Sequence, residues 1–507
     1  MKSTRTIIPG PPGTGKTYRL INVHLEHELQ QLHTESKKIL YISFSNAAAE
    51  EARKRINELY PGNEIIVSTM HSFGTSMLKI DTNTQLLEGK TWNTFKNYSG
   101  ICKDLNFENV QRDNGYREYK NNYMKIIEYH RNKLVDVEDA AIELGLIDYI
   151  NMGLCKQILQ DLNDYKRDYD MFEFSDMISE FVKKDMCPSL DAVFLDEAQD
   201  LSPLQWEMFF YIESQCKRSY IAGDDDQTIY SFQGASPEIF INLEGTMDPQ
   251  TISRRVPRSV HRLALSILDN LDIRREKEWI PRDAEGSVIE DHTLEDIDFS
   301  SGQWMILTRT NDQMKFIAEH LETTGYRFDC KFNDLLPFEL IEAIRIWDRL
   351  NKGAIVSGEE AKKVYEFLTF KDDQIKYKFC SGASLDGVEN VDMDELRINH
   401  GLLVAGSWEL FNISKDQKNY IQDLINNGDN LLHPARIKVS TIHSVKGEES
   451  DNVILFTDLE PIIYRAAQKD KDTEHRLFFV GVTRAKENLY IMSRNFKHQY
   501  IIGGEIV

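Results

Sequence analysis

The sequence predicts an α/β protein with two parallel sheets, each flanked by helices and each interrupted by a mainly helical insertion. Short β-rich runs alternate with helix-forming stretches over residues 5–80, which is typical of βαβ units and a parallel sheet. The alternation returns in the second half of the chain, from residue 304 onward. The strand signal disappears from about 81 to 170 and is weak from about 329 to 431, so we expect the two insertions there.

Apolar and β-branched runs mark the expected strands of both bodies. The first body has such runs at 6–8, 38–43, 65–68, 192–195 and 218–222. The second body has them at 304–308, 437–440, 453–456 and 489–492, and we expect only a short tail after the last. Helix-forming stretches predict helices over 47–59, 116–134, 136–146 and 313–323.

The first strand runs into the string G-P-P-G-T-G-K-T and then into a helical pattern. Strand, glycine-rich turn and helix start are the context of a phosphate-binding loop, whose backbone N–H groups point at phosphate oxygens. Lys16 would reach the outer phosphates, and the hydroxyl of Thr17 would help to hold Mg²⁺. A glycine-rich loop without a ligand is disfavoured, because all four fixed positions and both flanking elements agree. The loop comprises Gly10, Pro11, Pro12, Gly13, Thr14, Gly15, Lys16 and Thr17.

Two later strands end in acidic strings. Asp196 and Glu197 follow the 192–195 run, and ligands collect at the carboxyl ends of parallel strands, so Asp196 would meet the Mg²⁺ held by Thr17. Glu197 would then orient or deprotonate the attacking water. The 218–222 run leads into G-D-D-D-Q, which places Gln227 where it could sense a γ-phosphate. Alone, these strings could be an ordinary strand end and a solvated turn; the phosphate loop upstream favours the catalytic interpretation.

The composition sets broad limits on the protein class. A length of 507 residues with 41% hydrophobic and 28% charged residues is typical of a globular protein of roughly three domains. No apolar run is long enough for a membrane span, and the start lacks a signal-peptide core, so we expect a cytoplasmic protein without membrane contact. The six scattered cysteines indicate free thiols. The net charge of −22 argues against a polycation that coats nucleic acid, but it does not exclude a local binding groove.

The order of these motifs resembles that of superfamily 1 helicases of the UvrD/Rep/PcrA type. The phosphate loop, 196–200 and 223–227 resemble motifs I, II and III. Other strings resemble motifs Ia (43–49), Ib (68–73), IV (253–257), IVa (306–309), V (440–449) and VI (480–485), and 174–178 resembles the segment before motif II. The strings T-I-H-S-V-K-G and V-G-V-T-R-A are highly specific, and the matches span residues 10 to 485.

This resemblance implies two RecA-like P-loop domains with ATP and Mg²⁺ in the cleft between them. The first, ATP-binding domain would comprise 1–80 and 171–250, with 81–170 as its helical insertion. The second would comprise 251–328 and 432–507, with a reduced insertion at 329–431. Arg255 and Arg484 match arginine fingers, which stabilise the charge on the transferred phosphoryl group, and Glu449 matches a glutamate that contacts the ribose. Each arginine alone would more often be a surface ion-pair partner.

The resemblance also implies a path for single-stranded DNA. Aromatic rings stack on bases without regard to sequence, and the alternative role for each ring is core packing. His443, together with Lys446, would couple strand position to the ATP state. The residues at matching positions are Phe44, Asn46, His71, Tyr230, Phe232 and His443.

The chain departs from the family pattern at several positions. Tyr18 and Arg254 reverse the usual arginine and tyrosine on the two sides of adenine, and we hypothesise that the ring and the cation have exchanged sides. Gln233 stands where arginine is usual. Nine residues precede the loop in the sequence, so we expect no upstream Q motif, which reads adenine in the family, and strict ATP specificity is open.

The expected activity is that of an ATP-dependent DNA helicase that moves 3′→5′ and acts on single-stranded DNA and single-strand/duplex junctions. An ATP-driven translocase that displaces proteins and unwinds weakly remains open. A nucleotide-switch protein without motor activity is less consistent with the two second-domain arginines. Protein partners cannot be read from the sequence.

Overall fold

In the computed structural model, the described residues are 4–30, 38–89, 91–107, 109–111, 117–290, 292–333, 335–426, 428–429, 431–494, 496–503 and 505–507. The strands in chain order are β1 (Thr4–Pro9), β2 (Ile39–Ile42), β3 (Ile65–Ser68), β4 (Asn109–Gln111), β5 (Arg117–Tyr119), β6 (Leu190–Leu195), β7 (Cys216–Gly223), β8 (Thr246–Met247), β9 (Ser287–Ile289), β10 (Trp304–Thr308), β11 (Phe328–Asp329), β12 (Ile437–Thr441), β13 (Ser450–Phe456), β14 (Asp458–Leu459), β15 (Ala485–Met492), β16 (His498–Ile501) and β17 (Glu505–Ile506).

The helices in chain order are α1 (Lys16–Arg19), α2 (Glu26–Gln30), α3 (Asn46–Leu59), α4 (Met70–Leu78), α5 (Thr82–Gln85), α6 (Thr91–Ser99), α7 (Asn122–Lys133), α8 (Val137–Glu143), α9 (Met152–Tyr169), α10 (Phe174–Lys183), α11 (Pro203–Ser214), α12 (Pro237–Ile241), α13 (Arg258–Leu268), α14 (Asn311–Thr324), α15 (Phe338–Asn351), α16 (Gly358–Tyr365), α17 (Met393–Asn399), α18 (Lys415–Asn426), α19 (Pro461–Ala467) and α20 (Lys471–Val482). A π-helical stretch, Leu20–Leu25, joins α1 to α2.

Two six-stranded parallel sheets organise the chain. The first has the order β3-β2-β6-β7-β1-β8, and the second has the order β11-β12-β10-β13-β15-β9. The pairing within each is parallel. Central strands such as β2 and β10 are buried along their whole length, as expected for a sheet covered by helices on both faces. The predicted fold class is therefore confirmed.

Polar side chains define the helix starts that follow the strands. Ser45 and Thr69 each accept a backbone N–H bond at the N-terminus of α3 and α4. Ser202 and Thr310 form capping boxes with a glutamine three residues later, which begin α11 and α14. These caps define the N-termini of four helices, each of which follows a strand of one of the two sheets.

Each predicted insertion contains a hydrophobic core of its own. One core is formed by buried residues between Leu87 and Tyr165, and the other by buried residues between Leu336 and Leu431. Both regions consist mainly of helices, α5–α9 and α15–α18. The exact domain boundaries stay a prediction.

Three local expectations were wrong. The first insertion contains an antiparallel ladder, β4 with β5, although no strand signal was found there. The helix predicted over 116–134 begins only at Asn122, because 117–119 form β5; residue 116 lies outside the described residues. The tail after β15 adds β16 and β17, which form a small antiparallel sheet with β14. The missed strands have only two to four residues, and their sequences mix polar and apolar residues, so they lack the apolar run that marks β2 and β3.

Among the residues described, none of the helices combines the length and the apolar character needed to cross a bilayer.

Trp347→Ala should destabilise the second insertion by about 3–5 kcal/mol, because truncating a buried tryptophan leaves a cavity. Trp347 lies on α15 and is only 1% exposed. The matched control is Phe338→Ala on the same helix, where the side chain is 65% exposed. Denaturant unfolding followed by far-ultraviolet circular dichroism should separate the two variants; equal midpoints would contradict the assignment of Trp347 to the core.

Candidate active site and nucleic-acid interface

The phosphate loop lies between the end of β1 and the start of α1. Gly13 and Gly15 have φ angles of 74° and 87°, which favour glycine. The Oγ1 of Thr14 donates to the carbonyl of Pro11 at 2.8 Å, and Lys16 Nζ donates to the carbonyl of Gly10 at 2.8 Å. The helix start has no side-chain cap and no acidic residue in its first turn. These features fit an anion that accepts from the free N–H groups.

A hydroxyl and a carboxylate meet where the metal was predicted. Thr17 Oγ1 donates to Asp196 Oδ2 at 2.7 Å, and the Tyr41 hydroxyl donates to the same oxygen at 3.0 Å. Burial, reinforced by the charge of Glu197, raises the pKa of Asp196 to about 6. Hard oxygen donors suit Mg²⁺, so this pair fits the expected ion. Sequence reasoning missed Tyr41, because nothing in a β-rich run distinguishes it from a core residue.

Glu197 is held by its neighbours in the same acidic string. Its backbone lies in the left-handed region, with φ of 54°, which is uncommon outside glycine and concentrates at functional sites. Gln199 Nε2 donates to Glu197 Oε2 at 2.6 Å, while Gln199 Oε1 accepts from the N–H of Asp224 at 2.9 Å. Burial acts to raise the pKa of Glu197, but the charges of Lys446 and Lys16 outweigh it and lower the pKa. The carboxylate is thus kept ionised, as a base requires.

Gln227 is bonded on both sides of its amide. Its Nε2 donates to Asp224 Oδ2 at 2.7 Å, and its Oε1 accepts from Arg484 Nη2 at 3.1 Å. Arg484 is 1% exposed and also donates to the carbonyl of Val480 at 2.8 Å. Burial and the nearby charge of Arg255 lower the pKa of Arg484 to about 9, so it remains a cation at neutral pH.

Arg255, the other predicted arginine finger, lies against the phosphate loop. The Oγ of Ser253 donates to the carbonyl of Pro12 at 2.9 Å, and the N–H of Arg254 donates to the carbonyl of Gly13 at 2.9 Å. A Cβ added at Gly13 would lie 2.5 Å from the Cβ of Arg255. The Arg255 side chain points to Glu449, with Nε 2.5 Å from Oε2. Arg255 and Glu449 therefore lie beside the loop and pair with each other.

Tyr18 and Arg254, which we hypothesise to have exchanged sides around adenine, also lie close together. We call this expected arrangement of ring, base and cation the exchanged sandwich. The Arg254 guanidinium lies 5.4 Å from the centre of the Tyr18 ring, and the guanidinium of Arg55 lies 5.6 Å from it. Tyr18 is 44% exposed, so its ring remains accessible from the solvent. This arrangement is compatible with the exchange, which stays a hypothesis.

Four of the six predicted DNA-binding residues form one cluster across the two sheets. The rings of Phe44 and Tyr230 stack at 5.0 Å, and Phe232 meets His443 edge-on at 5.8 Å. Tyr230 is only 3% exposed, whereas Phe232 is 45% exposed, so Phe232 presents the accessible ring in this conformation. Tyr230 also donates to the carbonyl of His443 at 3.4 Å.

The other two predicted DNA-binding residues lie on separate helices. His71, at the start of α4, contacts the Phe174 ring at 5.7 Å. Asn46 is the exposed first residue of α3, next to the capping Ser45. The structure therefore does not join them to the cluster around Phe232 through the contacts described.

Lys446 connects the aromatic cluster with the acidic strings. Its Nζ pairs with Asp200 Oδ2, donates to the carbonyl of Gln227 at 2.7 Å and lies 4.0 Å from Glu197. The same ammonium is 5.4 Å from the centre of the Tyr230 ring. Burial raises the pKa of Asp200 to about 7 despite the charge of Lys446.

Comparisons with known proteins show which family this chain resembles. The family described as "UvrD/REP helicase N-terminal domain" matches residues 1–248, and "UvrD-like helicase C-terminal domain" matches residues 409–495. A probable DNA helicase II homolog of Mycoplasma capricolum is 21% identical over 97% of this chain and 83% of its own length. The ATP-dependent DNA helicase PcrA of Bacillus subtilis is 22% identical over 96% of this chain and 80% of its own length.

Among solved structures, an arterivirus nonstructural protein 10 (helicase) in complex with DNA aligns with 97% of this chain and 62% of its own. Its TM-score of 0.35 at 10% identity is too low to support a conclusion.

Tyr18→Ala should raise the KM for ATP about threefold to tenfold, because a ring contact with adenine is worth roughly 0.7–1.4 kcal/mol. Tyr18→Phe keeps the ring and is the matched control. Initial-rate ATPase measurements over a range of ATP concentrations give the KM of each variant. An unchanged KM in Tyr18→Ala would exclude the exchanged sandwich.

Proposed function

The chain belongs to the UvrD/REP helicase family, and we propose that it is an ATP-dependent DNA helicase that moves 3′→5′ along single-stranded DNA. The observation that carries this proposal is the convergence of Lys16, Glu197, Gln227, Arg255 and Arg484 on one cleft between the sheets. Residues 1–80 with 171–250 form the ATP-binding body, and 251–328 with 432–507 supply the arginines. The insertions are 81–170 and 329–431.

Binding of the nucleotide uses the loop and its immediate neighbours. The backbone of residues 10–15 surrounds the phosphates, and Lys16 leaves the carbonyl of Gly10 to reach them. Thr17 and Asp196 would hold Mg²⁺, and a bound ion there would supply positive charge to balance the phosphates. Tyr18 and Arg254 bind the base on its two sides. Glu449 binds the ribose after its ion pair with Arg255 has broken.

Hydrolysis depends on a base on one side and cations on the other. Glu197, kept ionised by Lys446 and Lys16, accepts a proton from the attacking water. Gln227 orients the same water or the γ-phosphate, and Arg255 and Arg484 stabilise the charge on the transferred group. Because both arginines belong to the second body, just before α13 and just before β15, turnover requires both bodies to be in place.

Movement along DNA follows from the contacts of Lys446. This residue touches the carbonyl of Gln227 and the ring of Tyr230, so a change at the γ-phosphate is transmitted to the aromatic cluster. The Phe232 ring then forms or breaks its stacking contact with a base, which is worth about 1–3 kcal/mol per base. The partners are single-stranded DNA and single-strand/duplex junctions.

Glu197→Gln should lower the DNA-stimulated kcat by about 10²–10⁴-fold, the range for loss of a general base, while binding to single-stranded DNA is retained. Glu207→Gln is the matched control, since Glu207 is an exposed glutamate on α11. Lys16→Ala should also abolish turnover. ATPase rates and fluorescence anisotropy with labelled oligonucleotides measure both quantities; substantial turnover in Glu197→Gln would rule out its role as base.

Unwinding should require a 3′ single-stranded overhang. Duplexes with a 3′ tail, a 5′ tail or blunt ends are compared at saturating ATP, with Lys16→Ala as the inactive control. Strand separation from the 3′-tailed duplex alone is expected. Unwinding from the 5′ tail would reverse the assigned polarity, and DNA-stimulated ATPase without unwinding would favour the protein-displacing translocase. ATP binding without DNA-stimulated hydrolysis would favour the nucleotide-switch protein.

A further inference from the structure

Three consecutive carboxylates are buried directly beyond the end of β7. Asp224, Asp225 and Asp226 are at most 1% exposed. Burying like charges side by side is unfavourable unless cations and hydrogen-bond donors surround them. Gln227, the next residue, has a role in the proposed mechanism, but these three acids have none so far.

One ammonium group contacts all three acids. Lys277 Nζ lies 2.8 Å from Asp224, 2.5 Å from Asp225 and 2.9 Å from Asp226. The Lys277 side chain is 5% exposed. Burial acts to lower the pKa of Lys277, but the three carboxylates outweigh it and the pKa is raised. The Lys277 ammonium is therefore positively charged and is fixed by its contacts with the three carboxylates.

Lys277 belongs to a segment that also supports the arginines of the cleft. This segment, 274–282, lies within the connection between α13 and β9 and runs beside residues 251–256. The N–H of Ser253 donates to the carbonyl of Ile280 at 2.8 Å, and the N–H of Ile280 donates to the carbonyl of Thr251 at 2.9 Å. The N–H of Arg282 donates to the carbonyl of Val256 at 2.8 Å. The two arginines at positions 254 and 255 lie inside the supported stretch.

Asp224 connects Lys277 with the side chains of Gln227 and Arg484. Asp224 Oδ1 faces Lys277, and Asp224 Oδ2 accepts from Gln227 Nε2 at 2.7 Å. That bond leaves the amide oxygen of Gln227 directed at Arg484. Burial opposes ionisation of Asp224, yet the charges of Lys277 and Lys16 lower its pKa. An ionised Asp224 can only accept, so it fixes which end of the amide faces Arg484.

We propose that Lys277 is a positioning residue for ATP hydrolysis: by holding Asp224 it orients the Gln227 amide, and it ties that orientation to the segment carrying Arg254 and Arg255. The inference rests on the proposed function. It assigns Lys277 no contact with the nucleotide.

A purely structural role for Lys277 can be distinguished with its neighbour Arg274. Arg274 lies on the same segment and donates to both oxygens of Asp226 at 3.0 Å. It neutralises the same acidic cluster, but its described bonds are with Asp226 rather than with Asp224. If charge balance alone matters, Arg274→Met and Lys277→Met should have similar effects.

The test uses the double variant Lys277→Met/Asp225→Asn in the full chain. One acid and one base are removed together, so the charge of the cluster is unchanged. The amide oxygen introduced at position 225 can still accept from the N–H of Arg275, which lies 2.7 Å from the Asp225 carboxylate. With saturating single-stranded DNA, kcat should fall about 10- to 100-fold, the range for outer-shell partners, while the KM for ATP stays within about twofold. The thermal midpoint should stay near that of the wild type.

A double-mutant cycle with Gln227→Ala gives the decisive comparison. Adding Lys277→Met/Asp225→Asn to Gln227→Ala should cause no further loss of kcat, because Lys277 is proposed to act through the Gln227 amide. Arg274→Met should keep a wild-type kcat. Additive losses, an unchanged kcat in the double variant, or an equal loss in Arg274→Met would each overturn the proposal.

A crystal structure of the double variant tests the inference independently of activity. The Gln227 amide should turn away from Asp224, and an amide that keeps both its bonds would contradict the positioning role. If the wild type itself shows no DNA-stimulated ATPase, the proposed function fails, while this structural comparison still decides whether Lys277 orients Gln227.

Discussion

Burial of carboxylates at the ends of neighbouring strands is the constraint on which the cleft depends. Asp196, Asp200 and Asp224 are all at most 5% exposed, and desolvation of an unpaired carboxylate is expensive. Two of the cations that these acids need, Lys446 and Lys277, come from the second body. Cations of one body thus neutralise buried carboxylates of the other, and these ion pairs help to hold the two bodies together.

The sequence predicted the residues whose roles are tied to a local backbone shape. The loop around Lys16, the strand end before Asp196 and the run of β10 could be read directly, because glycine spacing and buried strands leave a local pattern. Tyr41 and Lys277 could not be read this way. Tyr41 resembles any ring in a buried strand, and Lys277 lies in a charged stretch that suggests a solvated surface; their partners are more than 50 residues away.

The aromatic residues show a related limit. A sequence string locates Tyr230 and Phe232 together, but it cannot tell which ring faces solvent. In the structure Tyr230 packs between Phe44 and the ammonium of Lys446, and Phe232 is left exposed. A buried ring in contact with a cation suits transmission between sites, whereas an exposed ring suits stacking on a base. The proposed function accordingly gives Tyr230 the coupling role and Phe232 the stacking role.

The pairing of Arg255 with Glu449 bears on how the cleft becomes competent. The two side chains satisfy each other, so neither leaves a charge unpaired beside the loop. The backbone N–H of Arg254, the preceding residue, donates to the carbonyl of Gly13, and Ser253 donates to the carbonyl of Pro12. Under the proposed function, the Arg255 guanidinium would have to leave Glu449 to approach the phosphates. Under the proposed function, a nucleotide would offer its ribose to Glu449 and its phosphates to Arg255, so one ligand would replace both halves of the pair.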